Sequence, residues 1–495
     1  MNAGSASSHY EASTASNQPD PRRWRTLGVL GLVQFMLVLD MTVVNVALPR
    51  IQHDLGFDGS GLAWVVNGYV LMAGGLLLLG GRLADMYGRR RVFLAGVGVF
   101  ALASALCGLA NGPAMMVSSR MLQGVGEALA APAALGLIAL LFPDDKERIK
   151  ALGIWGGLTG LGGVSGTVIS GALTDLASWR WIFFINVPVA VFVLFVVPRL
   201  VSESRMVRDR QRLDVSGAVT ATGGLTAIVY GLLRAVTQPW GSAAVLLPLI
   251  GGVGLLVAMV VIEARSAHPL IPLRFFRNRT RVVANILALL NTAAFFTYVF
   301  LLTLFEQQVL RYSPLQGGLS YLPLGFGIGA GIAIGTGLMP RLGVRPLLAM
   351  GFFGAATGLL LTSGMKVTTT YVGGILPGMI VLGVSSGLIF PAVVNAALHQ
   401  VTGQDSSLAS GVQNAMQQVG GALGLAGLVT LAFRYTGDQV GAGVEPLVAA
   451  SEGYALSLRI GAVALAAAGV LALVLLERVS AQPRNPATES IGGLP

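Results

Sequence analysis

Three polar residues stand at helical spacing within an otherwise apolar stretch of the sequence. Arg120, Gln123 and Glu127 are separated by three and four positions, so they share one stripe of a helix that turns about 100° per residue. A charge inside hydrocarbon is costly unless it lines a cavity or meets a partner. A low dielectric favours the neutral acid and a nearby cation favours the ionised form, so such a stripe can exchange a proton. The alternative is a structural ion pair that ties helices together.

Asp40 is a second carboxylate in an apolar stretch. Asp40 and Arg120 lie at similar distances from the same predicted end of two oppositely directed helices, so they can pair. The face of Gln34 and Asn45 is more than about 100° away from Asp40, so both faces reach one cavity only if the helix bends or rotates. Asp40, Arg120 and Glu127 are therefore the candidate proton-coupling residues, and either carboxylate can be the carrier.

Amide side chains form a second polar set. Gln413 and Gln417 are four residues apart and face the same side of a helix, and the glycines that follow allow close helix contact. Contact with substrate and hydrogen bonding between helices are equally good interpretations of these amides. The candidate substrate cavity comprises Gln34, Asn45, Gln123, Asn395, Gln413, Asn414 and Gln417.

Such residues must be positioned by membrane-spanning helices. The 495-residue chain is 54% hydrophobic and only 11% charged, whereas soluble domains carry about 25% charged residues. A spanning helix needs about 20 apolar residues. Fourteen stretches qualify, at residues 27–48, 62–80, 92–110, 114–141, 151–173, 182–200, 215–234, 243–262, 281–304, 317–339, 346–363, 371–395, 409–433 and 455–476.

Lys and Arg residues indicate the orientation of these helices. Most of them lie in the short segments on one side, which places that side and both termini in the cytoplasm of a bacterial inner membrane. The net charge of +10 is therefore explained by topology, and no nucleic acid partner is expected. Glu306 falls at the predicted outer end of the ninth helix, where a solvated cap is the favoured interpretation and a proton site is the alternative. The single cysteine, Cys107, and four scattered histidines predict no disulfide, metal site or cofactor.

An internal repeat divides the chain. Residues 80–96 align with residues 335–351 at a constant offset, and Gly88 coincides with Gly343. Duplicated bundles are typical of transporters that alternate access to a central site. The sequence thus predicts an all-α integral membrane protein of 14 transmembrane helices. Its parts are a disordered tail (1–23), a six-helix bundle (24–200), two inserted helices with their linkers (201–279), a second six-helix bundle (280–478) and another disordered tail (479–495).

Four segments carry a family resemblance. They are GGRLADMYGRRR (80–91), LDMTVVNVALP (39–49), RMLQGVGEALAAPAAL (120–135) and WRWIFFINVP (179–188). With them, residues 24–478 resemble the major facilitator superfamily, specifically its fourteen-helix drug:proton antiporters of the EmrB/QacA type. In the fifth helix, Thr167 and Ser170 stand where that family usually has proline and glycine.

The resemblance implies roles for matching positions. Arg120 would assist proton transfer, and Asp40 would be a membrane-embedded carboxylate needed for transport. Glu127 stands where many members have a small residue, so its assignment depends on helical spacing alone. The resemblance also implies a cytoplasmic loop that gates the conformational change, formed by Gly81, Arg82, Asp85, Gly88, Arg89 and Arg90.

The function expected from these observations is proton-coupled export of small amphipathic compounds, including drugs and antibiotics. Proton-coupled uptake of a metabolite is the alternative. A lipid-modifying membrane enzyme is a remote third possibility, because it needs a clustered His/Asp or Cys/His set that the sequence does not show. No catalytic residues are assigned. The expected partners are a small-molecule substrate, protons and the lipid bilayer, and the chain is expected to be monomeric.

Overall fold

The computed structural model of the chain describes residues 22–142, 144–201, 214–266, 273–399 and 406–477. Nearly all of the predicted tails lie outside these ranges. The regular structure within them is helical. Its α-helices are α1 (Arg23–Leu55), α2 (Gly59–Tyr87), α3 (Arg89–Gly108), α4 (Pro113–Leu141), α5 (Asp145–Leu176), α6 (Trp181–Phe184), α7 (Asn186–Leu200), α8 (Val215–Arg234), α9 (Ala243–Arg265), α10 (Arg279–Leu304), α11 (Pro314–Ser320), α12 (Leu322–Leu342), α13 (Val344–Thr362), α14 (Leu376–Ala397), α15 (Ser406–Gly441) and α16 (Pro446–Leu475). A 3₁₀-helix covers Leu273–Arg277, and π-helices cover Phe305–Val309 and Tyr371–Ile375.

The helices are those of a multi-pass membrane protein, as predicted. Thirteen described spans are long and apolar enough to cross a bilayer, with α6–α7 and α11–α12 each forming one of them. Helix α5 is not among the thirteen, although it has 32 residues. It nevertheless runs along α1, from Leu158 beside Gly31 to Ser170, whose hydroxyl donates to the Val43 carbonyl. Counting α5, the described residues form fourteen helical passes, the number that the sequence predicts.

The same packing pattern occurs twice along the chain. Helices α2 and α3 pack on α4, and α1 packs on α5; correspondingly, α12 and α13 pack on α14, and α10 packs on α15. The aligned glycines of the sequence repeat, Gly88 and Gly343, have φ values of 102° and 78°, and each precedes the first residue of the next helix. Glycine adopts such positive φ values without steric cost. We refer to α1–α7 as the N-half and to α10–α16 as the C-half.

Helices α8 and α9 pack against each other, and α8 contacts one helix of each half, α2 and α15. Thr222 of α8 lies directly against Gly75 of α2. On the other side, the Thr430 hydroxyl donates to the Leu232 carbonyl at 2.8 Å, and the Arg434 guanidinium donates to the Ala235 carbonyl at 2.9 Å. The inserted pair therefore bridges the two halves along one flank.

The two ends of the bundle differ. We call the end with the α2–α3 and α12–α13 turns the basic end, and the end with the α1–α2 turn and residues 305–314 the far end. At the far end the halves touch, because Gly171 of α5 packs on the backbone of Leu315 and Gly318 of α11 packs on that of Thr167. Nearer the basic end, Ile154 and Leu161 of α5 are exposed. The structure is thus closed at the far end.

Candidate functional site

Asp40 and Arg120 form a buried ion pair between α1 and α4. Arg120 Nη1 lies 2.6 Å from Asp40 Oδ2, and both side chains are 1% exposed. Arg120 Nε also donates to the Val65 carbonyl of α2 at 2.9 Å, and the guanidinium carbon lies 4.2 Å from the centre of the Tyr69 ring. The pairing that the depths of the two residues suggested is therefore present, and it joins three helices of the N-half.

Amide donors complete the coordination of the Asp40 carboxylate. Its Oδ1 accepts from Gln123 Nε2 at 3.0 Å and from Asn186 Nδ2 at 2.8 Å. Asn186 also donates to Ser104 Oγ at 3.0 Å, and the Cys107 thiol lies 3.3 Å from Gln123 Oε1. A buried charge is tolerated when it is paired and hydrogen-bonded in this way. We call Asp40, Arg120, Gln123 and Asn186 the Asp40 network.

The network contains one residue that was predicted for a different site, Gln123, and one that was not predicted, Asn186. Gln123, predicted for the substrate cavity, is 0% exposed and bonds to both members of the ion pair. Sequence reasoning missed Asn186 as a functional residue, although a single asparagine within an apolar segment was a usable signal. Helices α6 and α7 meet at this position, and that junction turns the Asn186 amide toward α1.

Glu127 lies halfway along α4 and is only partly buried. Its Oε2 atom and the Tyr69 hydroxyl are both buried and have no well-formed hydrogen bond among the described residues, but the two groups are near enough to each other to interact as donor and acceptor. Tyr69 thus stands between Arg120 and Glu127. In contrast to Asp40, Glu127 has no cation and no amide bonded to it among the described residues.

The remaining predicted cavity residues differ in burial, and their assignment to one cavity stays a prediction. Asn45 Nδ2 donates to the Met41 carbonyl of its own helix at 3.3 Å, and Gln34 on α1 is partly buried. Asn395 and Asn414 are exposed.

Among the amides of α15, Gln417 is partly buried. Gln413 is 5% exposed, and its Nε2 atom lacks a partner within the described residues. Of the predicted set, Gln413 is the residue with an unused buried donor for a ligand.

A cavity of about 1130 Å³ lies between α2, α4 and α8. Its lining is mostly apolar and includes Trp64, Met121, Thr222 and Tyr230. None of the predicted substrate residues contributes to the lining of this cavity.

The predicted gating-loop residues meet at a corner of the N-half. Arg89 donates to Asp85 Oδ1 through Nε at 3.2 Å and Nη2 at 3.0 Å, and to the Gly136 carbonyl of α4 at 2.7 Å. Arg90 Nη1 donates to the Val201 carbonyl at 2.9 Å. Arg82 and Gly81 are both partly buried at the end of α2. These bonds hold α2, α3 and α4 together, and their gating role stays a prediction.

The interpretation of Glu306 as a solvated cap is wrong. Its side chain is 0% exposed, and Oε2 accepts a hydrogen bond from Ser320 Oγ at 2.8 Å. The helix does not end at residue 304 but continues as the π-helix Phe305–Val309, and this extension places the carboxylate inside the protein.

Comparison with known proteins gives consistent matches. Residues 30–425 match the family profile described as Major Facilitator Superfamily. The puromycin resistance protein pur8 of Streptomyces alboniger is 38% identical, covering 94% of this chain and 93% of its own. The cephamycin export protein CmcT of Amycolatopsis lactamdurans is 40% identical, covering 80% and 82% respectively. A crystal structure of a bacterial homolog of the human lysosomal transporter Spinster superposes with a TM-score of 0.63 at 16% identity, covering 92% of this chain and 97% of the other.

Proposed function

Because the chain belongs to the major facilitator superfamily, we propose that it exports small amphipathic organic compounds, such as antibiotics, in exchange for protons. The direction of transport and the class of compound are supported by the antibiotic resistance and export proteins that it resembles along most of its length. The proton coupling is supported by the buried Asp40 network together with Glu127, which lies on the same helix as Arg120. The placement of this second carboxylate beside the network is the single observation on which the mechanism depends.

Glu127 is the better proton carrier of the two carboxylates. Asp40 accepts hydrogen bonds from three side chains, one of them cationic, so its ionised form is fully compensated. Glu127 has no cation and no amide bonded to it among the described residues, and its partial exposure gives a proton access to it. Arg120 and Glu127 are seven residues apart, about 10 Å along α4, with Tyr69 between them.

The driving force is sufficient for export. One charge moving through 100 mV supplies about 2.3 kcal/mol, which corresponds to roughly fifty-fold accumulation. When Glu127 gains or loses its proton, the electrostatic field at Arg120 and Tyr69 changes. Because Arg120 bonds to α1 and α2 as well as belonging to α4, this change acts on three helices of the N-half at once.

Alternating access requires the halves to separate at the far end and close at the basic end. The present contacts between α5 and α11 are formed by glycines against backbone, so they can part without releasing interlocked side chains. The corner at Asp85 and Arg89 keeps α2, α3 and α4 together as the N-half moves. We propose that the two halves move in this way about the inserted pair.

The test is substrate-dependent proton flux in proteoliposomes that contain the full-length protein, with puromycin as the first compound. Glu127→Gln is expected to abolish proton-driven accumulation, and Asp40→Asn is expected to reduce it severely by breaking the ion pair. Glu452→Gln is the matched control, because Glu452 is exposed on α16. If Glu127→Gln and Asp40→Asn both accumulate substrate like the wild type, the proposed coupling is wrong. Cells producing the protein should gain resistance to the compound, whereas an uptake protein would make them more sensitive.

A further inference from the structure

Glu306 is a buried carboxylate that the mechanism above does not use. It is 0% exposed and lies in the π-helix that extends α10 toward the far end. π-helical turns are rare in proteins, and those that are found lie frequently at functional sites. The residue belongs to the C-half, whereas every member of the Asp40 network belongs to the N-half, so the two carboxylates are separate features.

The surroundings of Glu306 are polar, and no cation of the described residues pairs with it. Ser320 Oγ donates to Oε2 at 2.8 Å, while Oε1 is buried and has no hydrogen-bond partner among the described residues. Within the described ranges, the ion pairs do not involve Glu306. The titratable groups that lie within electrostatic range of it are all tyrosines, namely Tyr298 of α10, Tyr312 of the following loop, Tyr321 at the α11–α12 junction and Tyr371 of the second π-helix.

Ser320 and these tyrosines form a shell around the carboxylate, and within this shell Ser320 is the hydrogen-bond donor to it among the described residues. The Tyr371 hydroxyl donates to the Ser320 carbonyl at 2.6 Å, and the Tyr321 hydroxyl lies 2.8 Å from Thr303 Oγ1. Uncompensated charge at such a buried position is far more costly than the neutral acid. The geometry therefore suits a protonated Glu306 as long as the shell stays closed.

The shell around Glu306 is adjacent in the chain to the residues that close the far end. From the same π-helix, Gln307 Nε2 donates to the Val46 carbonyl of α1 at 2.7 Å, and Gln308 Nε2 donates to Gln52 Oε1 at 3.1 Å. Ser320 ends α11, the helix whose Gly318 packs on Thr167 of α5. Separation of the halves at this end must therefore disturb both the π-helix and the donor to Glu306.

We propose that Glu306 is a second proton-binding site, which is occupied while the far end is closed and exchanges its proton with the aqueous phase on that side when the halves part. On opening, water reaches the carboxyl group, the O–H bond breaks and the proton leaves to solvent; on closure, the carboxylate takes up one proton from the same phase. Linkage then requires that a falling pH on that side favours closure. The inference deepens the proposed function, which supplies the movement of the halves.

The experiment follows closure directly, without any transported compound. A cysteine at Leu315, on the α11 surface that faces α5, is labelled with a maleimide in the purified full-length protein between pH 5 and pH 8. Gly241→Cys, in the exposed α8–α9 loop, corrects for the pH dependence of the thiol itself, and the unmodified protein, whose one cysteine is buried, gives the blank. Corrected labelling should rise with pH, by at most about tenfold per pH unit for one linked proton.

In the Glu306→Gln background, which imitates the neutral acid, labelling should stay low and independent of pH. An unchanged pH profile in this variant overturns the proposal, as does a profile abolished by Glu127→Gln but kept by Glu306→Gln. If Glu306→Gln does not fold, Glu306→Asp replaces it: a displaced midpoint supports the site, and a midpoint identical to that of the wild type overturns it. The labelling experiment contains no substrate. Its result therefore does not depend on whether the liposome test detects proton-driven export.

Discussion

The Asp40 network illustrates how individual residues make a charge tolerable inside a membrane protein. Arg120 provides the countercharge, but Asn186 and Gln123 provide the donors that saturate the second carboxylate oxygen. Removing one donor leaves a buried acceptor unsatisfied, which costs about 1–3 kcal/mol. We therefore expect the network to contribute to stability as well as to the proposed proton coupling.

Asn186→Leu tests this contribution. The substitution preserves size and removes the 2.8 Å bond to Asp40, so we expect the free energy of unfolding to fall by about 1–3 kcal/mol and proton-driven transport to decrease. Thermal unfolding in detergent provides the stability measurement. Asn45→Leu is the control, because the Asn45 amide bonds to the backbone of its own helix and the same substitution there should cost less. Equal losses at both positions would contradict the role given to Asn186.

Individual site residues could be predicted from the sequence where polar residues recur at helical spacing, and not where a polar residue stands alone. The spacing of Arg120 and Glu127 and the matching depth of Asp40 led to the ion pair from sequence alone. Asn186 lacks a periodic partner, and its orientation depends on the junction between α6 and α7. Glu306 was misplaced because a π-helical turn depends on tertiary packing, which hydropathy does not reveal.

At the scale of elements, helix existence followed from apolar length, whereas helix interruptions did not. The predicted span 215–234 agrees with α8, Val215–Arg234. The predicted span 317–339 is instead two helices, α11 and α12, which meet at Tyr321. The predicted helix 151–173 is the longer α5, of which Gly162 and Gly166 face α1 and Gly171 faces α11. Interruptions of this kind form where two elements must approach each other closely, and this information is absent from any single apolar stretch.

The α5–α11 contact leads to a prediction about closure. A Cβ atom at Gly171 would lie 2.5 Å from the Pro314 carbonyl oxygen, and backbone cannot yield as a flexible side chain can. Gly171→Val should therefore hold the far end open and raise maleimide labelling of a cysteine placed at Gln52. Gly163→Val on the same helix is the matched control, since its Cβ would meet nothing within 4 Å. Labelling that does not differ between the two variants would show that α5 and α11 do not form the closing contact.

At the scale of the whole molecule, the duplicated packing of α1–α7 and α10–α16 could be anticipated from the short repeat around Gly88 and Gly343. The contact of α8 with both halves could not be predicted from the sequence, because hydropathy indicates how long a helix is but not which helices it packs against. The domain boundaries and the orientation in the membrane stay predictions.

Orientation has a direct test. The bias of Lys and Arg predicts that the basic end faces the cytoplasm. In intact cells, an impermeant maleimide should label Gly241→Cys in the α8–α9 loop at the far end, and it should label Leu342→Cys at the basic end only after the membrane is permeabilised. Both positions are exposed, so accessibility does not depend on the conformation of the halves. The reverse pattern would invert the topology and, with it, the direction of proton entry.

The position of α8 makes the two contacts between the N-half and the C-half different from each other. Helix α8 covers the line along which α2 meets α15, and the cavity of about 1130 Å³ lies between α8 and helices α2 and α4. Where α5 meets α11, the seam has no such cover from α8 or α9 among their principal neighbours. An apolar molecule that diffuses within the membrane therefore meets an uncovered contact between the halves on one side and a contact covered by α8 on the other. The two lateral routes to the interior are not equivalent.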